Sequence, residues 1–273
     1  MPSVLITGCS SGFGELTAIT FADHGHRVFA TMRTPGKSVA LNERPDIEQL
    51  ALDVGSSSSV DAAVSETISR VGRLDIVVNN AGVEVFGPVH LLSDDEVTHQ
   101  LDTNVLGVVR MVRAVVPHFL ANGGGTIVNV GSVAGFVGTP YSGIYAASKH
   151  AIEAISESLH FELSHRGVKV RVVEPGQFAT ELGNNSIHAK ALIEGTEEYQ
   201  RWQRFRSAMR SLAGGEPARA QVVADAIYAA AVDEPGRLRH LVGVDTDLII
   251  GAKSSMTFED FDLTMRATLD WHD

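Results

Sequence analysis

A chain of 273 residues with 44% apolar residues is long enough to bury a substantial core. Its 22 lysines and arginines against 33 aspartates and glutamates leave a formal charge of −11, which argues against general binding to nucleic acid or anionic membranes. A local basic pocket is compatible with that balance. The single cysteine, Cys9, rules out an internal disulfide and fits a reducing cytosol, so a cytoplasmic protein is expected.

Short β-branched runs alternate with longer helical patterns along the chain. Ser3 to Thr7 is an apolar run that enters a glycine-rich turn at once, with no basic region of a targeting segment before it. Strands are predicted at Val4–Ile6, Val28–Ala30, Gln49–Leu52, Ile76–Val78, Ile127–Val130, Val170–Val173 and Leu241–Val244. Between the third and fourth, Val60, Ala63, Val64, Ile68 and Val71 fall at helical spacing, and further on Ser93 with Glu96 reads as a capping box. The apolar stretch Val105 to Val116 is interrupted by Arg110 and Arg113, so no membrane span is expected. This alternation predicts a doubly wound α/β fold, a seven-stranded parallel sheet with helices on both faces. No internal repeat, low-complexity tract or long linker divides the chain, so residues 1–273 read as a single domain.

The stretch from Gly176 to about Gly215 breaks the rhythm. Tyr199, Trp202, Phe205 and Met209 give one apolar helix face within it. Long insertions at this end of an α/β domain are often substrate lids, so a lid is expected at about 176–215. The same face would also serve to pack the helix onto a core, and the two uses are compatible.

Open parallel sheets bind ligands outside the carboxyl ends of their strands. After the first strand comes Thr7-Gly8-Cys9-Ser10-Ser11-Gly12-Phe13-Gly14; after the third, Asp53; after the fourth, Asn79-Asn80-Ala81-Gly82. Gly131-Ser132 follows the fifth and Pro175-Gly176 the sixth. In the first turn Gly8 permits a tight exit, Gly12 lets backbone approach a pyrophosphate, and Gly14 lets the next helix pack closely, its free N–H groups facing the phosphates. Cys9 occupies a variable position of that turn. Tyr145 and Lys149, four apart at the start of the helical run Ala146 to Leu163, share one helix face. A lysine ammonium beside a phenol favours the phenolate, and Ser132 is placed to hydrogen-bond a substrate oxygen. An acidic residue at the end of the second strand would bind an adenosine ribose 2′-hydroxyl and repel a 2′-phosphate. Here Met32 holds that position and Arg33 follows, so NADP(H) is favoured, with Ser11 adding a hydrogen bond and NAD(H) left open.

Together these motifs resemble the short-chain dehydrogenase/reductase family in its compact single-domain branch. The resemblance runs from Ser3 to about Thr180: T-G-x-x-x-G-x-G at Thr7 to Gly14, N-N-A-G at Asn79 to Gly82, Asn104, Ser132, Y-x-x-x-K at Tyr145 to Lys149, and P-G-x-x-x-T at Pro175 to Thr180. It implies a Rossmann-type fold and a ketone or aldehyde interconverted with an alcohol. Tyr145 would be the general acid/base, and Ser132 would polarise the carbonyl. Lys149 would hold the nicotinamide ribose and acidify Tyr145, while Asn104 would fix a relay water. The cofactor would lie against Gly8, Ser10, Ser11, Gly12, Phe13, Gly14, Arg33, Asp53, Val54, Asn80, Ala81, Gly82, Tyr145, Lys149, Pro175, Gly176, Phe178 and Thr180. No metal is implied, and no His/Cys/carboxylate cluster has ligand spacing.

A-T-M-R and T-G-C-S-S-G are similar to the 17β-hydroxysteroid and retinol dehydrogenase-like members, which implies a bulky lipophilic small-molecule substrate. Val83, Val85, Phe86, Val133, Phe136 and Val137 are expected beside it. Two other readings stand beside this one. An acyl-carrier-protein thioester ketoreductase would share the catalytic residues and dock through Arg201, Arg204, Arg206 or Arg210; a non-catalytic NADP(H)-binding sensor would be expected to lack Tyr145 or Lys149. The resemblance also implies a homodimer or homotetramer built on the helices Val105 to Leu120 and Ala146 to Leu163. The acidic segment Phe258 to Asp273 would contribute to an interface or cover the pocket.

Overall fold

A computed structural model describes residues 1–176, 178, 187–212, 219–232 and 236–270. The first half runs β1 (Ser3–Ile6), α1 (Gly12–Asp23), β2 (Arg27–Met32), the one-turn α2 (Val39–Asn42), β3 (Ile47–Ala51), α3 (Ser57–Val71) and β4 (Ile76–Asn79). Next come β5 (Val85–Phe86), α4 (Asp94–Leu101), α5 (Gly107–Ala121), β6 (Gly125–Val130), α6 (Gly143–Leu163) and β7 (Val168–Pro175). The last part holds β8 (Ile187–His188), α7 (Glu197–Leu212), α8 (Gln221–Val232), β9 (Arg239–Val242), α9 (Val244–Ser255) and α10 (Phe258–Leu269).

Seven strands form one parallel sheet in the order β3-β2-β1-β4-β6-β7-β9. This is the expected doubly wound fold, and its chain direction across the sheet reverses between β1 and β4. A crevice opens at that reversal, beyond the carboxyl ends of the strands. β1 and β4 are buried at every position, which is why Val4–Ile6 and Ile76–Val78 read as continuous apolar runs rather than alternating ones. On one face Phe21, Val223, Ile227 and Ala230 of α1 and α8 pack on the sheet. On the other lie Val60 and Val64 of α3 with Met111, Val115 and Phe119 of α5.

The Ser93–Glu96 capping box forms at the start of α4. That helix passes through a π turn, Asp102–Leu106, into α5, giving 28 continuous helical residues long and apolar enough to cross a membrane. Met111, Val115 and Phe119 on it are instead fully buried against the sheet. Arg110, which interrupts its apolar run, pairs with Asp102 at 2.6 Å and donates to the Val54 carbonyl at 2.9 Å.

Two features differ from expectation. The last strand is Arg239–Val242, two residues earlier than predicted, because Gly243 leaves the extended conformation at φ 113° and α9 begins immediately afterwards. Arg239 is tolerated in the strand because Glu153, Glu157 and Glu174 surround its guanidinium. A second sheet, of β5 and β8 in parallel, ties the loop after β4 to the chain beyond β7, with Val85 opposite Ile187 and Phe86 opposite His188.

The Phe119 ring lies on Gly125, where an added Cβ would come within 2.6 Å of it. Phe119→Ala should therefore cost about 3–5 kcal/mol in urea unfolding, as emptied aromatic core sites do. A loss below about 1 kcal/mol would mean that this layer of the core repacks freely.

Candidate active site

One cavity of about 1510 Å³ runs along the carboxyl ends of the strands, from Met32 and Arg33 at one end to Tyr145 and α10 at the other. The glycine-rich turn forms its floor. Gly8 and Gly12 have φ of 74° and 64°, and a Cβ on Gly8 would sit 2.7 Å from the Ala81 Cα. Gly14 lies beneath the cavity: its Cβ would come 2.4 Å from the Gly8 carbonyl oxygen, so any side chain there would push the turn off α1. The Thr7 hydroxyl accepts from the backbone N–H of Asn80 and of Ala81, both at 3.0 Å. The Asn80 amide donates back to the carbonyls of Thr7 at 2.8 Å and Gly8 at 3.1 Å. These bonds lock the turns after β1 and β4 into one surface. Cys9 is buried, its thiol pushed up to about 12 chiefly by burial, so it offers no thiolate.

The structure brings most of the expected residues to this cavity. Gly8, Ser10, Ser11, Gly12, Phe13, Asp53, Val54, Asn80, Ala81 and Gly82 line it, as do Arg33, Pro175, Gly176 and Phe178. Phe178 meets Phe13 edge to face at 6.1 Å. Thr180 and parts of the expected lid, at 177, 179–186 and 213–215, lie outside the described residues. Lys37, which the sequence reading passed over, joins Arg33 at the same end. Its signal was a second basic residue four positions on in R-T-P-G-K.

At the other end, Ser132, Tyr145 and Lys149 line the wall together. Ser132 is held by its N-cap geometry, its oxygen accepting from the Ala134 N–H at 3.2 Å, and its hydroxyl is near enough to the Tyr145 phenol to pull that group's pKa down. Lys149 donates to the Val130 carbonyl at 2.7 Å, and its Nζ stands 5.6 Å from the centre of the Tyr145 ring. Asn104 sits behind the wall on the π turn. Its side chain accepts from the Val83 N–H at 2.9 Å and donates to the Val83 carbonyl and the Ser148 hydroxyl. Ser148 in turn donates to the Tyr145 carbonyl at 2.7 Å. Asn104 thus braces α6 directly beneath Tyr145.

The electrostatics carry a residue the sequence reading missed. Glu84, just after N-N-A-G, lines the cavity and accepts a 3.3 Å bond from Ser142. Burial pushes its carboxyl up to about 7, with Ser142 and the Lys149 charge pulling the other way. Tyr145 is raised above its ordinary range, first by burial and then by the charge of Glu84, against the pull of Ser132. Among the protein's own groups, acidification by Lys149 therefore does not prevail. Lys149 is itself pushed down to about 8 by burial, opposed by Glu84 and Glu153.

The remaining walls are apolar. Val83, Phe86, Val133 and Val137 contribute as expected, whereas Val85 is buried in the β5 bridge and Phe136 lies under the Arg239 guanidinium. From α7 come Trp202, Phe205 and Met209; Tyr199 turns away to pack against Trp202 in a separate cluster. Phe258, Phe261, Met265 and Leu269 show that α10 faces the cavity.

Comparison with known proteins agrees with this geometry. Residues 2–191 match the family model described as short chain dehydrogenase, and the chain belongs to that family. A 3-ketodihydrosphingosine reductase of Bacteroides thetaiotaomicron is 41% identical over 182 residues, 67% of this chain and 66% of the relative. The human 17-beta-hydroxysteroid dehydrogenase type 1 is 41% identical over 213 residues, 74% of this chain and 64% of the relative. Both alignments thus stop short of two thirds of the relative's length. Among solved structures, a short-chain dehydrogenase from Streptomyces avermitilis superposes with a TM-score of 0.83 at 29% identity, covering 99% of this chain and 98% of that one. The family binds NAD(H) or NADP(H), and the cradle of Gly8, Gly12 and Ala81 fits such a dinucleotide. The protein is an oxidoreductase of the short-chain dehydrogenase/reductase type.

Removing the Glu84 charge lowers the pKa of Tyr145, because that charge opposes tyrosinate. A reaction that draws on tyrosinate at Tyr145 should rise with pH, and in Glu84→Gln the rise should move to lower pH. A pH–rate profile unmoved by the substitution would separate Glu84 from Tyr145.

Proposed function

We propose that the protein is an NADP(H)-dependent carbonyl reductase/alcohol dehydrogenase acting on a bulky lipophilic substrate, with Tyr145 as general acid/base. The observation that carries this is the convergence of Ser132, Tyr145 and Lys149 on one wall of the cavity that also holds the dinucleotide cradle, with the Lys149 Nζ 5.6 Å from the centre of the Tyr145 ring. When bound, the nicotinamide supplies or receives the hydride. Ser132 holds the carbonyl oxygen and steadies its developing charge. Tyr145 gives its phenolic proton to that oxygen in reduction and takes it back in oxidation. Lys149, fixed by the Val130 carbonyl, supplies positive charge on the cofactor side of the phenol, and Asn104 keeps α6 in register through Ser148. Arg33 and Lys37 support the NADP(H) reading, because two cations at the Met32 end suit a 2′-phosphate and no acidic side chain follows β2 there.

The apolar surfaces of α7 and α10 support a lipophilic substrate, with the segment around 176–215 acting as its lid. We assign association as a homodimer or homotetramer to α5 and α6, whose neighbourhood leaves Leu106 and Phe161 48% and 77% exposed.

Tyr145→Phe should reduce turnover about 10²- to 10⁴-fold while NADPH titration of the protein's fluorescence stays nearly unchanged. Substantial residual turnover would remove Tyr145 from its role, and tight NADPH binding by the wild type without turnover of any carbonyl would favour a cofactor sensor. Arg33→Ala should weaken NADPH about 10- to 100-fold and leave NADH little changed. Equal losses for the two would mean that Arg33 does not read the phosphate.

A further inference from the structure

Helix α7 carries several arginines, and one of them stands apart. Arg201 pairs with Glu197, one turn back, at 2.6 Å. On α10, which faces the same cavity, Arg266 pairs with Asp262 at 2.8 Å. Arg206 lines the cavity too and is exposed at its rim, yet among the described residues no carboxylate is paired with it. Its guanidinium carbon instead stands 5.3 Å from the centre of the Trp202 ring. In a chain with a formal charge of −11, an unpaired guanidinium on a cavity wall is out of keeping with its surroundings.

Trp202 supplies a second, independent observation. Its side chain is buried, and among the described residues its indole Nε1 has no hydrogen-bond partner. An indole N–H can only donate, and a buried donor left unmade is costly. A side cleft of about 230 Å³ opens along α7 between Tyr199, Trp202, Gln203, Arg206 and Ser207. Trp202 and Arg206 line both this cleft and the main cavity, so the two spaces adjoin at the two unmet donors. No acidic side chain lines the cleft among the described residues. The His188 ring meets Trp202 edge to face at 5.0 Å, and burial together with the Arg206 charge lowers its pKa, which leaves Arg206 as the cation here. Trp202, Phe205, Arg206 and Met209 follow one another at spacings of three, one and three, on one side of the helix. Side chains three or four apart lie about 5–6 Å from each other, so an apolar ligand resting on Phe205 and Met209 ends within reach of the guanidinium.

We propose that Arg206 and the Trp202 indole N–H form a subsite for a carboxylate carried by the substrate, so that the natural substrate is an oxo acid, or in reverse a hydroxy acid, with an apolar body joining its two polar ends. This rests on the reductase reading above and adds to it the substrate class and the residues that select it. One guanidinium with one neighbouring N–H matches the single charge and two oxygens of a carboxylate, whereas a phosphate dianion would leave a charge unmatched. The subsite belongs to α7, a different wall from the β6 and α6 side that carries Ser132, Tyr145 and Lys149. Arg206 and Trp202 are specificity residues and exchange no proton with the carbonyl.

Straight-chain keto acids of increasing length, each beside its methyl ester, test this with NADPH. At the best length the wild type should prefer the acid in kcat/KM by about tenfold, and Arg206→Gln should abolish that preference mainly through KM. Trp202→Phe keeps a ring and removes the N–H, and should take away part of it. No preference at any length, a preference that survives either substitution in full, or better use of the matching phosphate monoester would overturn the assignment. A second measurement does not depend on turnover: calorimetric binding of the matching hydroxy acid to NADP-loaded Tyr145→Phe, against the same protein carrying Arg206→Gln. Binding that is lost with Arg206 supports the subsite even if no ketone is reduced, in which case the reductase reading alone fails. Binding indifferent to Arg206 sinks the proposal even if ketones are turned over.

Discussion

The side chain of Asn129, wholly buried in β6, joins the two halves of the active site from below. Its oxygen accepts from the Asn79 amide at 2.8 Å, and its own amide donates to the Ser156 hydroxyl at 2.8 Å. Ser156 donates onward to the Ile152 carbonyl within α6. A polar chain thus crosses the apolar core from β4 to α6. Leaving any one of these buried groups unpaired costs about 1–3 kcal/mol, so the chain selects one rotation of α6 over its neighbours. With that rotation set, Tyr145 and Lys149 face the cavity, and Asn104 with Ser148 holds the helix about two turns nearer its start. Asn79 is the strand residue that leads into the cofactor-facing Asn80-Ala81-Gly82, so one network registers the cofactor floor against the acid/base helix.

Charge is arranged around the same helix. Lys149 stands between Glu84 on the cavity side and Glu153 on the sheet side, and both hold its ammonium up against a burial that drives it to about 8. Behind it Glu174, fully buried, is pushed well above the usual carboxylate range by burial and by Glu153, with Arg239 opposing. Gly131 leaves room for this group: a Cβ there would come within 3.2 Å of a Glu153 oxygen. The small residue ahead of Ser132 therefore serves the packing of buried carboxylates as well as the approach of a ligand.

Much of this was readable beforehand, and the reasons are physical. Strands buried on both faces are apolar wherever no buried partner is at hand, as at Val77 and Val78 or Ile127 and Val128, and helices that cover them repeat their apolar residues at helical spacing. The glycine turn and the Tyr145–Lys149 spacing were legible because backbone geometry leaves few residue types able to serve. Glu84 was not, since V-E-V-F reads as an alternating strand with its acid in solvent; only the pairing of β5 with β8, between residues about a hundred positions apart in the chain, turns it into the cavity. Arg239 lay outside the expected last strand for the same kind of reason, because its compensating carboxylates come from α6 and β7. The π turn that carries Asn104 has no local sequence mark at all. Such features depend on contacts between distant segments, which periodicity does not encode.

The two ends of the cavity are built from different parts of the chain. The glycine turn, Ser132, Tyr145, Lys149 and the Asn129 network all precede Gly176, whereas the apolar chamber is largely the work of α7 and α10. Among the described residues, no hydrogen bond of the Asn129 chain involves the later helices. Evolution can therefore recut the chamber without disturbing the reaction centre, much as a tool keeps its handle while its jaws are exchanged. The family match itself, ending at residue 191, falls close to that seam. Transplanting the segment beyond it between relatives is then the direct route to new substrates on an unchanged acid/base machine.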